Sequence, residues 1–201
     1  MLVYKLTDQD MMTYGGCEWR IGEWKKTSGE DEMCGPGWLH AYKSKYLAVL
    51  VNPIHANIKS PRLFMAVGKG RTQSDALKIA FTEMKISRES KVPVFTSEQH
   101  VFFAISVTKR VCNDSTWLEW TENWLNGKDR SANAARAAAN VAYATANVAD
   151  AAYAAANAAA NAAANAAAYA AAYAADVARA ADAGSNINFD QIALNAYNWR
   201  G

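Results

Sequence analysis

The sequence predicts an α+β fold, in which a small, mixed, β-rich head domain precedes several helices and one long alanine-rich helix. Short segments of alternating apolar and polar residues occupy the first part of the chain, separated by glycine and proline turns. Residues 131–182, in contrast, are about 60% alanine and contain no glycine or proline, and alanine has the highest helix propensity. We therefore predict four segments, namely a head domain (1–95), a helical connector (96–130), the long helix (131–183) and a short helical cap (184–201).

Composition narrows the class of protein. The chain has 201 residues and a formal net charge of +2, with 20% charged residues. This balance argues against a basic nucleic-acid tail, an acidic tail and a disordered chain. Residues 1–130 hold 18 of the 21 Lys and Arg and 15 of the 19 Asp and Glu. Three cysteines without a CxxC pair indicate free thiols in a reducing cytoplasm.

Strand patterns dominate the head domain. Alternation predicts strands at residues 2–6, 17–21, 38–42 and 62–67. Residues 43–51 carry apolar side chains at helical spacing, and Asn52-Pro53 is expected to end that helix. Residues 77–86 fit either a helix capped by Ser74 or a strand, and their alternation favours the strand.

Helical signals begin near residue 96. Thr96 and Gln99 form a capping box, which predicts a helix over the following residues, although the β-branched content of residues 100–112 leaves a strand open. A second capping box is predicted at residues 116–119. Trp117, Trp120 and Trp124 then share one helical face, which is more often core than a recognition surface. Gly127 is well placed to end this helix.

The alanine-rich segment is predicted to begin at Ser131 and to form one helix about 75 Å long. A straight helix of that length would project beyond the head domain. Its larger side chains recur every 3.5 residues on average, which is the heptad value. The opposite face is almost pure alanine, and the residues near its middle are Val141, Thr145, Val148 and Val177.

We expect this alanine face to assemble copies of the chain into a homo-oligomer, as a coiled coil or a bundle. A solvated spacer helix is the alternative, and an ice-binding helix is disfavoured because its polar row is Asn and Tyr rather than Thr. Asn157, Asn161 and Asn165 disfavour a membrane span, because each amide is costly in hydrocarbon. Two arginines on the helix are too few to favour nucleic acid.

Candidate chemistry is sparse in the head domain. The spacings of Cys17, Cys34, His40 and His55 match no compact zinc pattern, and no glycine-rich phosphate loop occurs, so no metal or cofactor is expected. Cys34 and His40 flank a Gly-Pro-Gly turn, and a thiol nucleophile with a base is not expected from that spacing. Three tryptophans beside basic residues could stack on bases, but core and rim positions are commoner; they are Trp19, Trp24 and Trp38.

Three segments carry a resemblance to a known family: Thr-Tyr-Gly-Gly at 13–16, Cys-Gly-Pro-Gly-Trp-Leu-His at 34–40, and Asn-Pro-Ile-His-Ala-Asn at 52–57. Together with the run from Trp120 into the alanine tract, they resemble an uncharacterised family of bacteriophages and some bacteria. The resemblance implies an accessory protein that acts on a host component, such as a defence protein, in the bacterial cytoplasm. The residues expected to bind are Tyr14, Gly15, Gly16, Trp38, His40, Asn52 and His55.

A second resemblance concerns residues 37–42. Their glycine–strand–helix passage is similar to that of ADP-ribosyltransferases, which implies His40 and Glu98 as catalytic residues of a small enzyme. The family's full set of motifs is absent from the chain. A non-enzymatic binding protein is therefore the leading expectation, and the enzyme is the alternative.

Overall fold

The computed structural model describes residues 1–144, 155–156, 159, 164–181 and 187–201. It confirms the α+β class, with an antiparallel sheet and helices. The chain divides into two compact units, Met1–Pro93 (unit 1) and Val94–Gly201 (unit 2). Unit 1 contains the strands and one helix, and the other described helices lie in unit 2.

Unit 1 is built on a long antiparallel hairpin. Its elements are β1 (Leu2–Thr7), β2 (Met12–Thr13), a 3-10 turn (Tyr14–Gly16), β3 (Cys17–Glu18), β4 (Lys25–Lys26), β5 (Leu39–Ala41), α1 (Lys45–His55), β6 (Arg62–Ser74) and β7 (Ile79–Ser90). The sheet order is β1-β6-β7-β4, and β5 also pairs with β7. A further bridge joins Tyr4 to Tyr42, so the sheet curls back and brings β5 beside β1.

One face of this sheet carries the core cluster of unit 1. Inward side chains at every second position of β1, β6 and β7 meet there, as the period of a strand requires. At Gly68 a Cβ would lie 2.4 Å from the ring of Phe81, so the glycine allows the ring to pack directly on the backbone of β6. The buried residues of this core are Val3, Trp19, Leu39, Ala41, Phe64, Ala66, Ile79, Phe81, Met84 and Ile86.

The strand prediction for residues 77–86 is confirmed, because β7 covers most of them. The predicted end of α1 at Asn52-Pro53 is wrong, since the helix continues to His55. A proline in the last turn costs one backbone hydrogen bond, and the turn is held by other bonds. The amides of Ala56 and Asn57 both donate to the carbonyl of Asn52, at 3.0 and 2.6 Å.

Unit 2 is helical in its described part. The helices are α2 (Ser97–Thr108), α3 (Ser115–Leu125), α4 (Ala132–Ala144), α5 (Ala164–Ala181) and α6 (Phe189–Asn198). The capping box at Thr96 is confirmed, because its hydroxyl accepts from the Gln99 amide at 3.2 Å while the Gln99 side chain accepts from the Thr96 amide at 2.9 Å. The second capping box is wrong. Asp114 caps α3 instead, and its carboxylate accepts from the Trp117 amide at 2.8 Å.

The tryptophan stripe of α3 is core, since Trp117, Trp120 and Trp124 are all buried. Gly127 follows the end of α3 with a φ of +76°, a left-handed conformation that glycine adopts without steric cost. The predicted helix end is therefore confirmed. Ser131 also caps α4 as expected, with its hydroxyl accepting from the Ala134 amide at 3.2 Å.

The prediction of one continuous alanine helix over residues 131–183 stays a prediction, because residues 145–154, 157–158, 160–163 and 182–183 lie outside the described residues. In the described part, α5 packs against α2 and α4 packs against α3. The α2 and α3 helices are themselves close, because the ring of Trp199 lies 5.4 Å from both Phe102 and Trp124, measured between centroids. The two described alanine helices are therefore packed back within unit 2.

Candidate functional site

The Cys-Gly-Pro-Gly-Trp motif builds a closed loop at residues 29–37, the 29–37 loop. The Gly29 amide donates to the Gly37 carbonyl at 2.9 Å, and the Trp38 indole donates to the Asp31 carbonyl at 3.1 Å. A Cβ at Gly37 would lie only 1.9 Å from the Glu30 carbonyl oxygen, so no side chain fits there. Trp38 is buried, so this predicted binding residue serves the loop and the core.

His40 lies on β5 and is half-buried. Its Nε2 is hydrogen-bonded to the Met33 carbonyl, which makes Nε2 the protonated nitrogen and leaves Nδ1 as the basic one. Burial lowers the pKa of His40, which favours the neutral ring. Glu98 is exposed on the first turn of α2. The pair implied by the ADP-ribosyltransferase resemblance is thus divided between the two units.

Asn52 and His55 both serve the end of α1. The Asn52 side chain makes two bonds to the backbone of Ile58. Its NH2 group donates to the Ile58 carbonyl at 3.0 Å and its oxygen accepts from the Ile58 backbone amide at 3.2 Å, which fixes the turn after the helix. The His55 ring stacks on Tyr42 with centroids 6.3 Å apart. The motif at 52–57 therefore directs the chain from α1 toward β6.

Tyr14 is the predicted binding residue that is most open to solvent. It begins the turn at the tip of the β2–β3 hairpin and is fully exposed. Gly15 and Gly16 follow with φ values of +72°, which explains the two glycines in this turn. Next to this turn, the Trp19 indole donates to the Thr13 hydroxyl at 3.0 Å, which anchors the hairpin.

Three tryptophans of unit 1, which the sequence does not distinguish, differ in burial. Trp19 and Trp38 are buried, whereas Trp24 is 37% exposed. Two lysine amines lie over its ring, with Lys69 Nζ at 4.2 Å and Lys85 Nζ at 5.2 Å from the ring centroid. Cation–π attraction of this kind orders the indole at the surface.

The register of the strands places further charged side chains beside Trp24. Lys69 of β6 and Lys26 of β4 are both paired with Glu83 of β7, and their amines lie 3.3 and 3.5 Å from the same carboxylate oxygen. The hydrogen bond from Lys69 lowers the pKa of Glu83. We call this cluster the Trp24 surface; its residues are Trp24, Lys26, Lys69, Glu83 and Lys85.

The Trp24 surface offers an ordered indole and three ammonium groups against one carboxylate. An aromatic ring supplies apolar contact, and the surplus amines attract anionic groups. The cluster contains neither a thiol nor an imidazole, so its composition suits binding rather than nucleophilic chemistry. Sequence reasoning named Trp24 only as one of three tryptophans and missed Lys69 and Lys85. The available signal was the adjacency of Trp24 to Lys25-Lys26.

A buried lysine was also missed. Lys5 is 9% exposed and its amine donates to the His40 carbonyl at 2.7 Å, while lying 5.1 Å from the centroid of Trp19. Burial lowers its pKa to about 8. The signal was its inward position between Val3 and Thr7 in the alternating pattern of β1.

The predicted oligomer interface is only partly described. Val177 of α5 is half-buried and Val141 lies in α4, while Thr145 and Val148 fall outside the described residues. The alanines around Val177 are covered within unit 2, where α5 packs against α2. The buried ones are Ala171, Ala172, Ala174, Ala175 and Ala178.

The described residues contain no group of three or more His, Cys, Asp and Glu that could hold a metal ion. Across the same stretches, no helix is both long and apolar enough for a membrane span.

Known proteins provide a family match for the first part of the chain. No curated protein and no solved structure matches the chain. Residues 1–98, which include all of unit 1 and the start of α2, match the family model described as a domain of unknown function, DUF7666.

Proposed function

We propose that this chain is a non-enzymatic binding protein and that the Trp24 surface is its recognition surface. The observation that carries the proposal is the exposure of Trp24 between two lysine amines, while Trp19 and Trp38 are buried. Tryptophan is among the residues that contribute most to binding energy at protein interfaces.

The charge of unit 1 indicates the class of partner. Residues 1–93 contain 14 Lys and Arg against 10 Asp and Glu, and three of the cations belong to the Trp24 surface. Surplus positive charge steers an acidic surface toward this face. We therefore propose an acidic protein of the bacterial host as the partner, following the resemblance to a phage and bacterial family.

An ADP-ribosyltransferase-like enzyme is the competing proposal. It requires His40 as a functional side chain, but the carbonyl of Met33 occupies Nε2 and burial favours the neutral ring. The enzyme would therefore have to release His40 from the Met33 carbonyl. The binding proposal needs no such change, because Trp24 is already exposed.

Assembly through the alanine-rich segment is a separate proposal. The alanine face of α5 is buried within its own unit, so this part of the face is already occupied. The mass of the purified chain in solution, measured by light scattering, tests the assembly independently of the Trp24 surface.

Site-specific photo-crosslinking tests the recognition surface. A benzophenone amino acid placed at position 24 and activated in bacterial cells is expected to give one discrete protein adduct. Lys69→Glu with Lys85→Glu is expected to reduce its yield at least tenfold, because both changes reverse charge at the ring. The adduct, once identified, should bind the purified chain with a Kd raised tenfold or more by Trp24→Ala.

Leu2 provides the matched control, because it is 54% exposed, apolar and in the same unit. The crosslinker at position 2 should not give the same adduct. Equal labelling from both positions, or an adduct that is indifferent to the charge reversals, would contradict the proposed surface.

A further inference from the structure

The three thiols of the chain differ in their access to solvent. Cys34 is exposed, Cys17 is half-buried and Cys112 is buried. Burial also raises the pKa of Cys112, which makes its reactive thiolate scarcer. A small polar oxidant in solution therefore meets Cys34 first.

An amine lies directly against the exposed sulfur. Lys78 Nζ donates a hydrogen bond to Cys34 Sγ at 3.1 Å, and the two residues are 44 positions apart in sequence. The tertiary fold therefore creates this pair. It lies outside the Trp24 surface and is independent of the proposed binding function.

Both partners are held by short local bonds. On the lysine side, the Asp75 carboxylate accepts from the backbone amides of Leu77 and Lys78, each at 2.8 Å, which orders the turn between β6 and β7. On the cysteine side, the Gly35 amide donates to the Glu32 carbonyl at 2.8 Å within the 29–37 loop. The backbone is thus ordered at both positions that supply the hydrogen-bonded pair.

We propose that Cys34 and Lys78 form an oxidative cross-linking site whose co-substrate is hydrogen peroxide. The Cys34 thiolate attacks one oxygen of the peroxide, so that an S–O bond forms and the O–O bond breaks. The Lys78 ammonium gives its proton to the leaving hydroxide. The products are a sulfenic acid on Cys34, a neutral Lys78 amine and one water.

The second step needs no further oxidant. The lone pair of the Lys78 amine attacks the sulfur, the S–O bond breaks, and the hydroxide leaves as water with one amine proton. An S–N bond then joins the two side chains, and the protein has lost two hydrogens overall. Sulfenic acids condense in the same way with backbone nitrogen. Two equivalents of a thiol reductant restore the thiol and the amine and leave as a disulfide.

Intact-mass and peptide measurements on the full chain test this proposal. After mild peroxide treatment, we expect a loss of about 2 Da and a tryptic product that links the peptide containing Cys34 to the peptide containing Lys78. Dithiothreitol should return both peptides to their original masses. Cys17 and Cys112 serve as internal controls and should remain unlinked.

Lys78→Arg is the matched variant, because arginine keeps the positive charge beside the sulfur but lacks a nucleophilic amine at neutral pH. The cross-linked product should fall at least tenfold in this variant, while Cys34 is still oxidised. Lys43→Arg, at another exposed lysine, should leave the yield unchanged. Oxidation of Cys34 that stops at sulfinic acid, a disulfide-linked dimer, or a link from Cys34 to a different lysine would overturn the proposal.

Discussion

At the residue scale, Lys5 shows how one strand position acquires an unusual chemical environment. The alternation of β1 turns Val3, Lys5 and Thr7 to the same side of the sheet, and all three are buried. Among the described residues no carboxylate forms a salt bridge with the Lys5 amine. Desolvation therefore dominates, and it lowers the pKa of Lys5 from 10.5 to about 8.

This shift predicts a pH dependence of stability with a definite sign. Below pH 8 the folded and unfolded chains both carry the ammonium, and its burial opposes folding. Between pH 8 and 10.5 the folded chain has lost a proton that the unfolded chain still holds, so the Lys5 contribution to stability rises with pH, by roughly 3 kcal/mol at most. Lys5→Met should stabilise the chain by about 1–3 kcal/mol at pH 7, and this gain should shrink toward pH 10.5.

Urea unfolding at several pH values measures the effect. Lys59→Met, at an exposed position, is the control and should show no comparable trend. A Lys5→Met variant whose advantage is the same at pH 7 and pH 10 would refute the assigned cause.

The tryptophans show what residue type alone leaves undecided. The sequence surroundings are similar for Trp19, Trp24 and Trp38, because polar and apolar residues are mixed throughout the head domain. The sequence therefore predicts a core position for each of them equally. Contacts with other strands decide which tryptophan is exposed. Lys69 of β6 and Lys85 of β7 lie over Trp24, and their positions depend on sheet register.

At the element scale, helix starts were partly predictable. The capping box at Thr96 is local, and the structure follows it. At α3 the sequence offers two possible N-cap residues, Asp114 and Thr116. Asp114 is the one that caps the helix, so the helix begins at Ser115. Asp and Thr both cap well, and sequence spacing alone does not rank them here.

The alanine helices predict opposite responses at adjacent positions. Ala138 of α4 is 3% exposed, whereas its neighbour Ala137 is exposed. Ala138→Leu inserts three carbons into a packed face and should destabilise the chain by about 1–3 kcal/mol. Ala137→Leu keeps the helix propensity and should change stability by less than about 0.5 kcal/mol.

Thermal and urea unfolding of the two leucine variants provide the comparison. Equal stability of both would mean that the α4 face is not packed within the chain. Such a result would strengthen the proposal that this face serves assembly of copies.

At the scale of the whole molecule, the last residues close unit 2. The side-chain amide nitrogen of Gln99 donates to the backbone carbonyls of Tyr197 and Trp199, at 2.8 and 3.3 Å, across about a hundred positions of sequence. The Trp199 ring stacks on Trp124, and the Arg130 guanidinium lies 5.0 Å from both rings. The C-terminal segment is thus an integral part of the helical unit.

Trp199→Ala should therefore weaken unit 2 selectively. Loss of the indole removes contacts with both Phe102 and Trp124, and we expect a cost of about 2–3 kcal/mol. Hydrogen exchange of the full chain should show faster exchange in α2, α3 and α6, with the β6–β7 hairpin unchanged. Uniform acceleration in both units, or none, would contradict this assignment. Asn198→Ala, at an exposed neighbouring position, is the control.

The sequence by itself determined the class of the fold and several element boundaries, because period-2 alternation, capping residues and alanine content act locally. It also indicated that the stripe of Trp117, Trp120 and Trp124 is core. Tertiary structure decided which tryptophan stays exposed, which lysine is buried, and that Cys34 meets Lys78. Those outcomes depend on sheet register and loop closure between residues far apart in the chain. The partner of α5 was decided in the same way, because a smooth alanine face does not specify which helix it packs against, and α5 packs against α2.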